Sequence, residues 1–327
     1  MASQQQHAHD AAFTLRGHPK PLQFSIVTFN LLAPCYAVRP PALCERSQNS
    51  GCSGGSPEWS QPQRWQQRAE RTCTFLADGT CTVQQREDGI REQPKLIGDI
   101  ICLQEYLFEP AYEEIFQTRF PAETFRWIKA KRPGSKRDGL AVFFRRTDFH
   151  VEKWRCFTLT PLGDRIGLLV HLRPTWAPHM HLLVLNVHLT YPHHIWDNAL
   201  RKHQVRTVHH MTAQAREEIP PCHRVVVLCG DWNTLGAEDP VLRYLESNMY
   251  VRCRLPQRSV THLTHDGKQI CCDHVFLDWA SEKIFQSAQL LPPELEADQW
   301  PDIERYDLSD HRPVRVLLRL ETERSAL

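Results

Sequence analysis

Short apolar runs recur along most of this 327-residue chain, and they constrain its fold more than any other feature. The first is QFSIVTF at 23–29, and seven more follow from residue 99 onward. Continuous apolar runs of this length are typical of strands that are buried on both faces. The later runs lie at 99–103, 139–144, 166–172, 181–189, 224–230, 272–277 and 314–320.

Helical segments lie between several of these runs. Trp65, Ala69 and Phe75 recur at helical spacing within a predicted helix at about 62–76. Further helices are predicted at 110–119, 195–217 and 238–247. Strands that alternate with helices over this length indicate an α/β architecture.

Polar segments interrupt the chain without dividing it into two domains. Residues 1–20 are polar and predict a flexible N-terminal segment. Two polar stretches, at about 44–62 and 78–95, are interpreted as insertions on either side of one helix. Residues 21–321 are therefore predicted to form a single domain.

Composition excludes several classes of protein. The chain is 41% hydrophobic and 24% charged, which excludes a disordered tail, a collagen and a coiled coil. Its net charge of +1 argues against a non-specific nucleic-acid coat but leaves room for a local basic groove. No membrane span and no exposed apolar loop are expected. The 12 cysteines show no zinc-binding spacing, so we expect an intracellular, reducing compartment, the cytoplasm or else the nucleus.

Polar residues with complementary chemistry cluster where the apolar runs stop. Glu105 and Asp310 carry the hard oxygen ligands that suit Mg²⁺ or Mn²⁺. Asp231 can act as a general base on water, and two histidines can donate hydrogen bonds to developing negative charge. These are the parts needed to hydrolyse a phosphate ester. The full set is Asn30, Glu105, His188, Asp231, Asn233, Asp273, Asp310 and His311.

The order of these motifs resembles the endonuclease/exonuclease/phosphatase superfamily, which includes deoxyribonuclease I, inositol-polyphosphate 5-phosphatases, neutral sphingomyelinases and the carbon-catabolite-repressor-type deadenylases. The resemblance covers about residues 22–320 and implies a deoxyribonuclease I-like, four-layer α/β sandwich. In that fold two packed mixed β-sheets lie between outer helices. It also implies a Mg²⁺-dependent phosphoesterase. The motifs are FN at 29–30, LQE at 103–105, NVHL at 186–189, GDWN at 230–233, DHVF at 273–276 and SDH at 309–311.

The resemblance also implies roles at a metal site. Glu105 matches the principal metal ligand of the superfamily, and Asn30 and Asp310 match its companions. Asp231 matches the residue that orients or deprotonates the attacking water.

The remaining four positions match groups that handle the phosphate. Asn233 matches a phosphate-binding asparagine, and His188 matches a second histidine that contacts phosphate in the phosphatase and deadenylase branches. His311 matches the histidine that stabilises the transition state, with Asp273 as its carboxylate partner.

Three local features resemble the deadenylase and nocturnin branch: FNLLAPCYA at 29–37, Trp59 with Arg64 and Arg68, and DGLAVFF at 138–144. In the last, Gly139 is expected to permit a close backbone approach. The leucine-rich repeats of the large deadenylases are absent, so no adaptor docking through them is expected. The stretch 188–204 looks more like plant and algal members of uncertain substrate.

Other polar and aromatic residues have more than one interpretation. The basic stretch 129–137, which contains Lys136 and Arg137, either lines a substrate groove or forms a solvated hairpin loop. Trp232 either stacks on a substrate base or packs beneath the site. His262 precedes a hairpin turn predicted at 266–267 and has no assigned partner.

The main functional hypothesis is a Mg²⁺-dependent phosphodiesterase, a 3′→5′ exoribonuclease of the deadenylase type that acts on RNA. Hydrolysis of a small phosphorylated metabolite or a phospholipid is the alternative within the same fold. An inactive scaffold is a third hypothesis, and it predicts the loss of at least one of the site residues, all of which are present.

Overall fold

The computed structural model describes residues 23–37, 58–79, 96–161, 164–295 and 306–320. Its strands in chain order are β1 Gln23–Asn30, β2 Ile100–Leu107, β3 Phe125–Lys131, β4 Asp138–Arg145, β5 Phe149–Thr158, β6 Ile166–Pro174, β7 His181–His188, β8 Arg224–Asp231, β9 Tyr250–Arg252, β10 His262–Leu263, β11 Gln269–Ile270, β12 Asp273–Asp278, β13 Phe285–Leu290 and β14 Val314–Arg319. Its α-helices are α1 Pro62–Asp78, α2 Pro110–Arg119, α3 Ile195–Glu217 and α4 Pro240–Ser247. The predicted N-terminal segment 1–20 and most of the two predicted insertions (44–57 and 80–95) lie outside the described residues.

The long strands form two six-stranded sheets. The first has the order β13-β14-β1-β2-β4-β3, and the second has the order β5-β6-β7-β8-β12-β9. Each sheet is mixed, because one parallel pair (β1 with β2, or β7 with β8) lies among antiparallel neighbours. The remaining two strands form the small hairpin β10-β11, whose turn contains the Asp266-Gly267 pair that the sequence predicts.

Three apolar clusters hold four layers together. The central cluster joins the inner faces of the two sheets, with Ile26 and Val142 on one side and Leu168 and Val184 on the other. An outer cluster packs α1 and α2 on the first sheet, and another packs α3 and α4 on the second. The predicted four-layer α/β sandwich of two packed mixed sheets with helices outside is confirmed.

A buried amide bridge joins the two sheets beneath one edge. Gln104 of β2 donates from Nε2 to the Asn186 Oδ1 of β7 at 2.6 Å and to the Thr28 hydroxyl at 3.0 Å. Asn186 Nδ2 in turn donates to the carbonyl oxygens of Leu103 and Ala141. Polar groups inside an apolar core must be paired, so these bonds fix how the sheets align.

The two parallel pairs place the strand ends that carry the site at this same edge. Asn30 at the end of β1 lies beside Gln104 of β2, one residue before Glu105. His188 at the end of β7 lies beside Asp231 at the end of β8. Asp273 begins β12 directly opposite Asp231. Within the described residues, no helix is long and apolar enough to cross a membrane.

Candidate active site

Two backbone features turn the site carboxylates into the cleft between the sheets. Gly230 has φ +144°, and a Cβ atom there would lie 2.0 Å from the Val187 carbonyl oxygen, so β7 and β8 approach closely just before Asp231. Glu105 has φ +55° and interrupts the β2–β4 register between Gln104 and Tyr106. A bulge of this kind re-aims the side chain of the extra residue. Gly139, opposite this bulge, is confirmed as a close-approach position, because its Cβ would lie 2.1 Å from the Ala130 carbonyl oxygen.

Asp231 is the centre of the site. Its Oδ2 accepts a hydrogen bond from Asn30 Nδ2 at 3.0 Å and lies 3.4 Å from His188 Nε2 and 3.8 Å from His311 Nε2. Its Oδ1 accepts the backbone N–H of Asn233 at 2.9 Å. Burial and the nearby charge of Asp273 raise the pKa of Asp231, so this carboxylate is a stronger base than an exposed aspartate.

His311 forms a tight pair with Asp273. Its Nδ1 lies 2.8 Å from the Asp273 Oδ2. Burial opposes the charged imidazolium, but the carboxylates of Asp273 and Asp231 outweigh that effect and raise the pKa of His311 to about 10. His311 is therefore cationic at neutral pH and presents Nε2 to the cleft.

His188 has the opposite electrostatic environment. Burial, followed by the positive charges of Arg165 and Arg132, lowers its pKa well below the usual value. The site thus holds one neutral and one cationic histidine on either side of Asp231, and paired groups with divergent pKa values are typical of acid–base sites.

Glu105, Asn30 and Asp310 form the acidic side of the site. Glu105 Oε2 accepts the N–H of Ala33 at 2.8 Å, and Oε1 lies 3.3 Å from Asn30 Nδ2. Burial and the charges of Asp138 and Asp310 raise the pKa of Glu105 to about 7. Negative charge gathered at partly buried oxygen atoms is the environment that a hard divalent cation neutralises, so this donor set fits a metal. Asn30 Oδ1 accepts the N–H of Leu32, which uses one of the two lone pairs of that oxygen and leaves the other for a cation.

A second set of potential ligands lies on the other side of Asp231. Among the described residues, Asp231, Cys272, Asp273 and His311 each place one ligand atom within 4.8 Å of the others. Cys272 Sγ is 3.5 Å from Asp273 and 4.0 Å from His311. Because burial and Asp273 raise the pKa of this thiol well above its usual value, it stays protonated and is a poor ligand for Mg²⁺.

Two further predicted residues, Asn233 and Trp232, follow Asp231 and make contacts with the backbone. Asn233 reaches the site edge in a left-handed conformation (φ +51°), but its Nδ2 donates to the Leu189 carbonyl at 2.8 Å. Trp232 has no exposed surface, donates from Nε1 to the His274 carbonyl and packs on Phe276. Its ring face is therefore closed to a substrate base, and the packing interpretation describes its position.

The basic stretch forms the β3–β4 hairpin. Lys136 lies 3.3 Å from Asp164, whereas the Arg137 guanidinium lies 4.5 Å from the Trp59 ring and 3.9 Å from Glu109. Both side chains are about half exposed, at 41% and 52% respectively. They lie at the rim and do not reach the Asp231 centre.

Sequence reasoning gave no role in the site to His262 or Arg68, although both shape it. The His262 ring stacks on His311 with centroids 3.9 Å apart, and its Nε2 lies 3.4 Å from Asp310. The Arg68 guanidinium donates to the carbonyl oxygens of Leu31 and Leu308, which joins the loops that carry Asn30 and Asp310. A turn histidine or a helical arginine gives no sequence signal for such long-range contacts.

Comparison with known proteins gives distant matches. No family model matches the chain. An uncharacterized calcium-binding protein of Arabidopsis thaliana is 24% identical over 199 residues, which are 55% of this chain and 41% of that protein. Protein angel homolog 2 of Danio rerio is 31% identical over 168 residues, or 48% of this chain and 28% of that protein. The matched segments thus span well under half the length of these relatives.

Solved structures match over almost the entire chain. An endonuclease/exonuclease/phosphatase from Bacteroides vulgatus is 17% identical, with a TM-score of 0.61 that covers 91% of this chain and 99% of its own. ANGEL2, a 2′,3′-cyclic phosphatase, in complex with adenosine-2′,3′-vanadate, is 15% identical with a TM-score of 0.63. That match covers 92% of this chain and 97% of the ANGEL2 chain. The human Nocturnin catalytic domain is 16% identical with a TM-score of 0.60, and the match covers 92% of this chain and 96% of that domain. The chain has the endonuclease/exonuclease/phosphatase fold.

Proposed function

We propose that this chain, which has the endonuclease/exonuclease/phosphatase fold, is a metal-dependent phosphoester hydrolase. The observation that carries the proposal is the arrangement around Asp231. A buried carboxylate of raised pKa lies between a neutral histidine and an imidazolium that Asp273 holds in place. Such a set can activate water and stabilise a developing oxyanion in one cleft.

Glu105 and Asp310, with Asn30, are the residues that would hold the cation, and Mg²⁺ is the ion that their oxygen donors suit. Bound there, it would supply Lewis-acid polarisation of the phosphoryl oxygens. The raised pKa of Glu105 supports this assignment, because a nearby cation would stabilise its ionised form.

The other residues of the site have complementary roles in the proposed reaction. Asp231 accepts a proton from the attacking water, while Asn30 and the Asn233 N–H hold its two oxygens in place. The His311 Nε2–H donates to the phosphoryl oxygen that gains negative charge, and Asp273 fixes the imidazolium through Nδ1. Neutral His188, beside Asp231, supplies a second hydrogen-bonding group for the phosphate. In-line attack by water then needs no covalent intermediate.

For the substrate we propose RNA, with 3′→5′ exonucleolytic cleavage of the deadenylase type. Support comes from the motifs of the first strand and of the DGLAVFF strand, and from the fold shared with ANGEL2 and Nocturnin. A panel with Mg²⁺ tests it: poly(A) RNA, mixed-sequence RNA, DNA, an adenosine 2′,3′-cyclic phosphate, a dinucleotide phosphate, a phosphoinositide and sphingomyelin. Stepwise shortening of poly(A) from the 3′ end is the expected result, and cleavage of only non-RNA substrates contradicts it.

One observation favours a phospholipid as the second candidate. Ile195 and Trp196, at the start of α3 and seven residues beyond His188, are 79% and 80% exposed. Trp at such a position is typical of a membrane interface. Sedimentation with anionic vesicles, and its loss in Trp196→Ala but not in Trp279→Ala, would support this candidate.

A further inference from the structure

One guanidinium nitrogen of the half-buried Arg165 is enclosed without a hydrogen-bond partner among the described residues. The residue directly precedes β6, and its Nη1 atom has no exposed surface and no hydrogen bond to any described residue. Burial lowers the pKa of this guanidinium, and repulsion from Arg132 acts in the same direction. A buried charged donor that lacks an acceptor costs free energy, so its presence requires an explanation.

The strand register places Arg165 at the site. Gly167 of β6 lies opposite Val187 of β7, so residue 166 faces His188, where β7 ends. The carboxylates whose charge acts on Arg165 are those of Glu105, Asp138 and Asp231. Among charged groups, Arg165 also has the largest effect on His188. The guanidinium therefore lies on the wall that faces the acidic side of the cleft.

One of these carboxylates, Asp138, is already bound by another arginine. Arg132 Nη1 lies 3.2 Å from Asp138, and its Nη2 lies 2.5 Å from Asp164. Tyr36 also donates its hydroxyl to Asp138 at 2.8 Å. Within the described part of the chain, Arg132 thus has two acidic partners and Arg165 has none.

We propose that Arg165 is a substrate-binding residue, whose partly exposed guanidinium donates to a non-bridging oxygen of the substrate phosphate. The inference rests on the proposed function and deepens it, because it assigns a second positive contact beside His311. The planar guanidinium suits this task, since its N–H groups match the spacing of phosphate oxygens and it stays charged despite burial.

A role in substrate binding and a role in holding the fold predict opposite effects of mutation. If Arg165 stabilises the fold, its replacement lowers the melting temperature. If its guanidinium binds an anion, Arg165→Gln removes an enclosed donor that lacks an acceptor and leaves the melting temperature equal or higher. Sites built for ligands commonly show this exchange between stability and function.

The experiment measures thermal unfolding of the full chain with Mg²⁺ present, in the absence and presence of inorganic phosphate. Wild type is expected to gain stability with phosphate, and Arg165→Gln is expected to lose most of that gain. Arg173→Gln is the matched control, because it lies near the other end of β6, paired with Glu152, and should keep the full gain. In hydrolysis assays Arg165→Gln should raise KM by about tenfold or more, with a smaller effect on kcat.

Arg165→Lys keeps the charge but loses the planar fork, so it should show intermediate protection by phosphate; it also serves as the test if the glutamine variant does not fold. Equal protection of wild type and both variants would overturn the inference, as would a melting temperature that falls in both variants with KM unchanged.

The outcomes separate the proposed function from the proposed role of Arg165. Phosphate protection that depends on Arg165 in a protein that hydrolyses nothing would contradict the function alone. Hydrolysis with protection independent of Arg165 would contradict the inference alone.

Discussion

At the scale of single residues, the structure brings together the eight polar residues that the sequence places at strand ends. The sequence could indicate them because each ends or begins an apolar run, and strand ends of one sheet edge lie close together. It could not indicate His262, Arg68 or Arg165, whose positions depend on loops and on side-chain direction. Their contacts with Asp310, with two backbone carbonyl oxygens and with the cleft become visible only after the sheets pack.

The pair of His311 and Asp273 predicts an unusual pH profile. Because the pKa of His311 is raised to about 10, the active imidazolium persists through neutral pH and is lost only as pH rises through that value. Asp273→Asn removes the largest favourable charge, so the alkaline limb of kcat/KM should move to lower pH by at least one unit, or ~1.4 kcal/mol. The pH–rate profiles of the two proteins measure this directly. Identical alkaline limbs would show that His311 does not act as the cation.

At the scale of elements, the continuous apolar runs predicted eight long strands and missed those at the edges. β3 and β5 are edge strands with few buried residues; in β5 (FHVEKWRCFT) only Phe149 is buried, whereas Glu152 and Trp154 are exposed. Only one face of such a strand meets the core, so no continuous apolar run marks it. The helices were predicted closely, because the helical spacing of apolar residues marks the one face of each helix that packs on a sheet. Only α4 begins later than expected, at Pro240, since Asp239 caps it.

The amide bridge between Gln104 of β2 and Asn186 of β7 joins two elements, and its contribution to the free energy of unfolding can be measured. Asn186→Leu leaves Gln104 Nε2 and the carbonyl oxygens of Leu103 and Ala141 without this partner inside the core. We expect a loss of roughly 2–4 kcal/mol in the free energy of unfolding, measured by urea denaturation.

The double variant Gln104→Leu/Asn186→Leu supplies the control for this bridge. Because the two side chains share one hydrogen bond, the double variant should lose less than the sum of the single losses. Strict additivity would mean that the two amides act independently and that the bridge does not couple the sheets.

At the scale of the whole molecule, buried histidines predict how stability depends on pH. Burial and the neighbouring His181 lower the pKa of His171 to about 4, and burial lowers that of His274 to about 4 as well. The unfolded chain therefore binds more protons than the folded chain between pH 6.5 and 4, and stability falls as pH falls through this window.

The measurement is urea unfolding at pH 7 and pH 5. His171→Gln should reduce the drop in unfolding free energy between these pH values by about 1–2 kcal/mol. His150→Gln, at an exposed position on β5, is the matched control and should leave the drop unchanged. An undiminished drop in His171→Gln would show that this histidine is not buried in its neutral form.

The whole fold also explains why the near-zero net charge is a weak guide to function. Acidic groups meet at Glu105 and Asp310, while cations line the facing wall at Arg132 and Arg165, and the two sets cancel in the total. The sequence could predict the sandwich from its motif order, but not this separation of charge within the cleft. The single domain across 21–321 stays a prediction, since parts of that range lie outside the described residues.

The most direct test of the account is Mg²⁺-dependent hydrolysis by wild type and by Asp231→Asn on whichever phosphoester substrate the panel identifies. Asn keeps the size of the side chain but removes the base, so we expect a loss of at least about 10²-fold in kcat, with the melting temperature within a few degrees of wild type. Asp148→Asn, at a buried aspartate that ends the turn before β5, is the matched control. A folded Asp231→Asn that retains most of the Mg²⁺-dependent activity would contradict the central claim that Asp231 activates the attacking water.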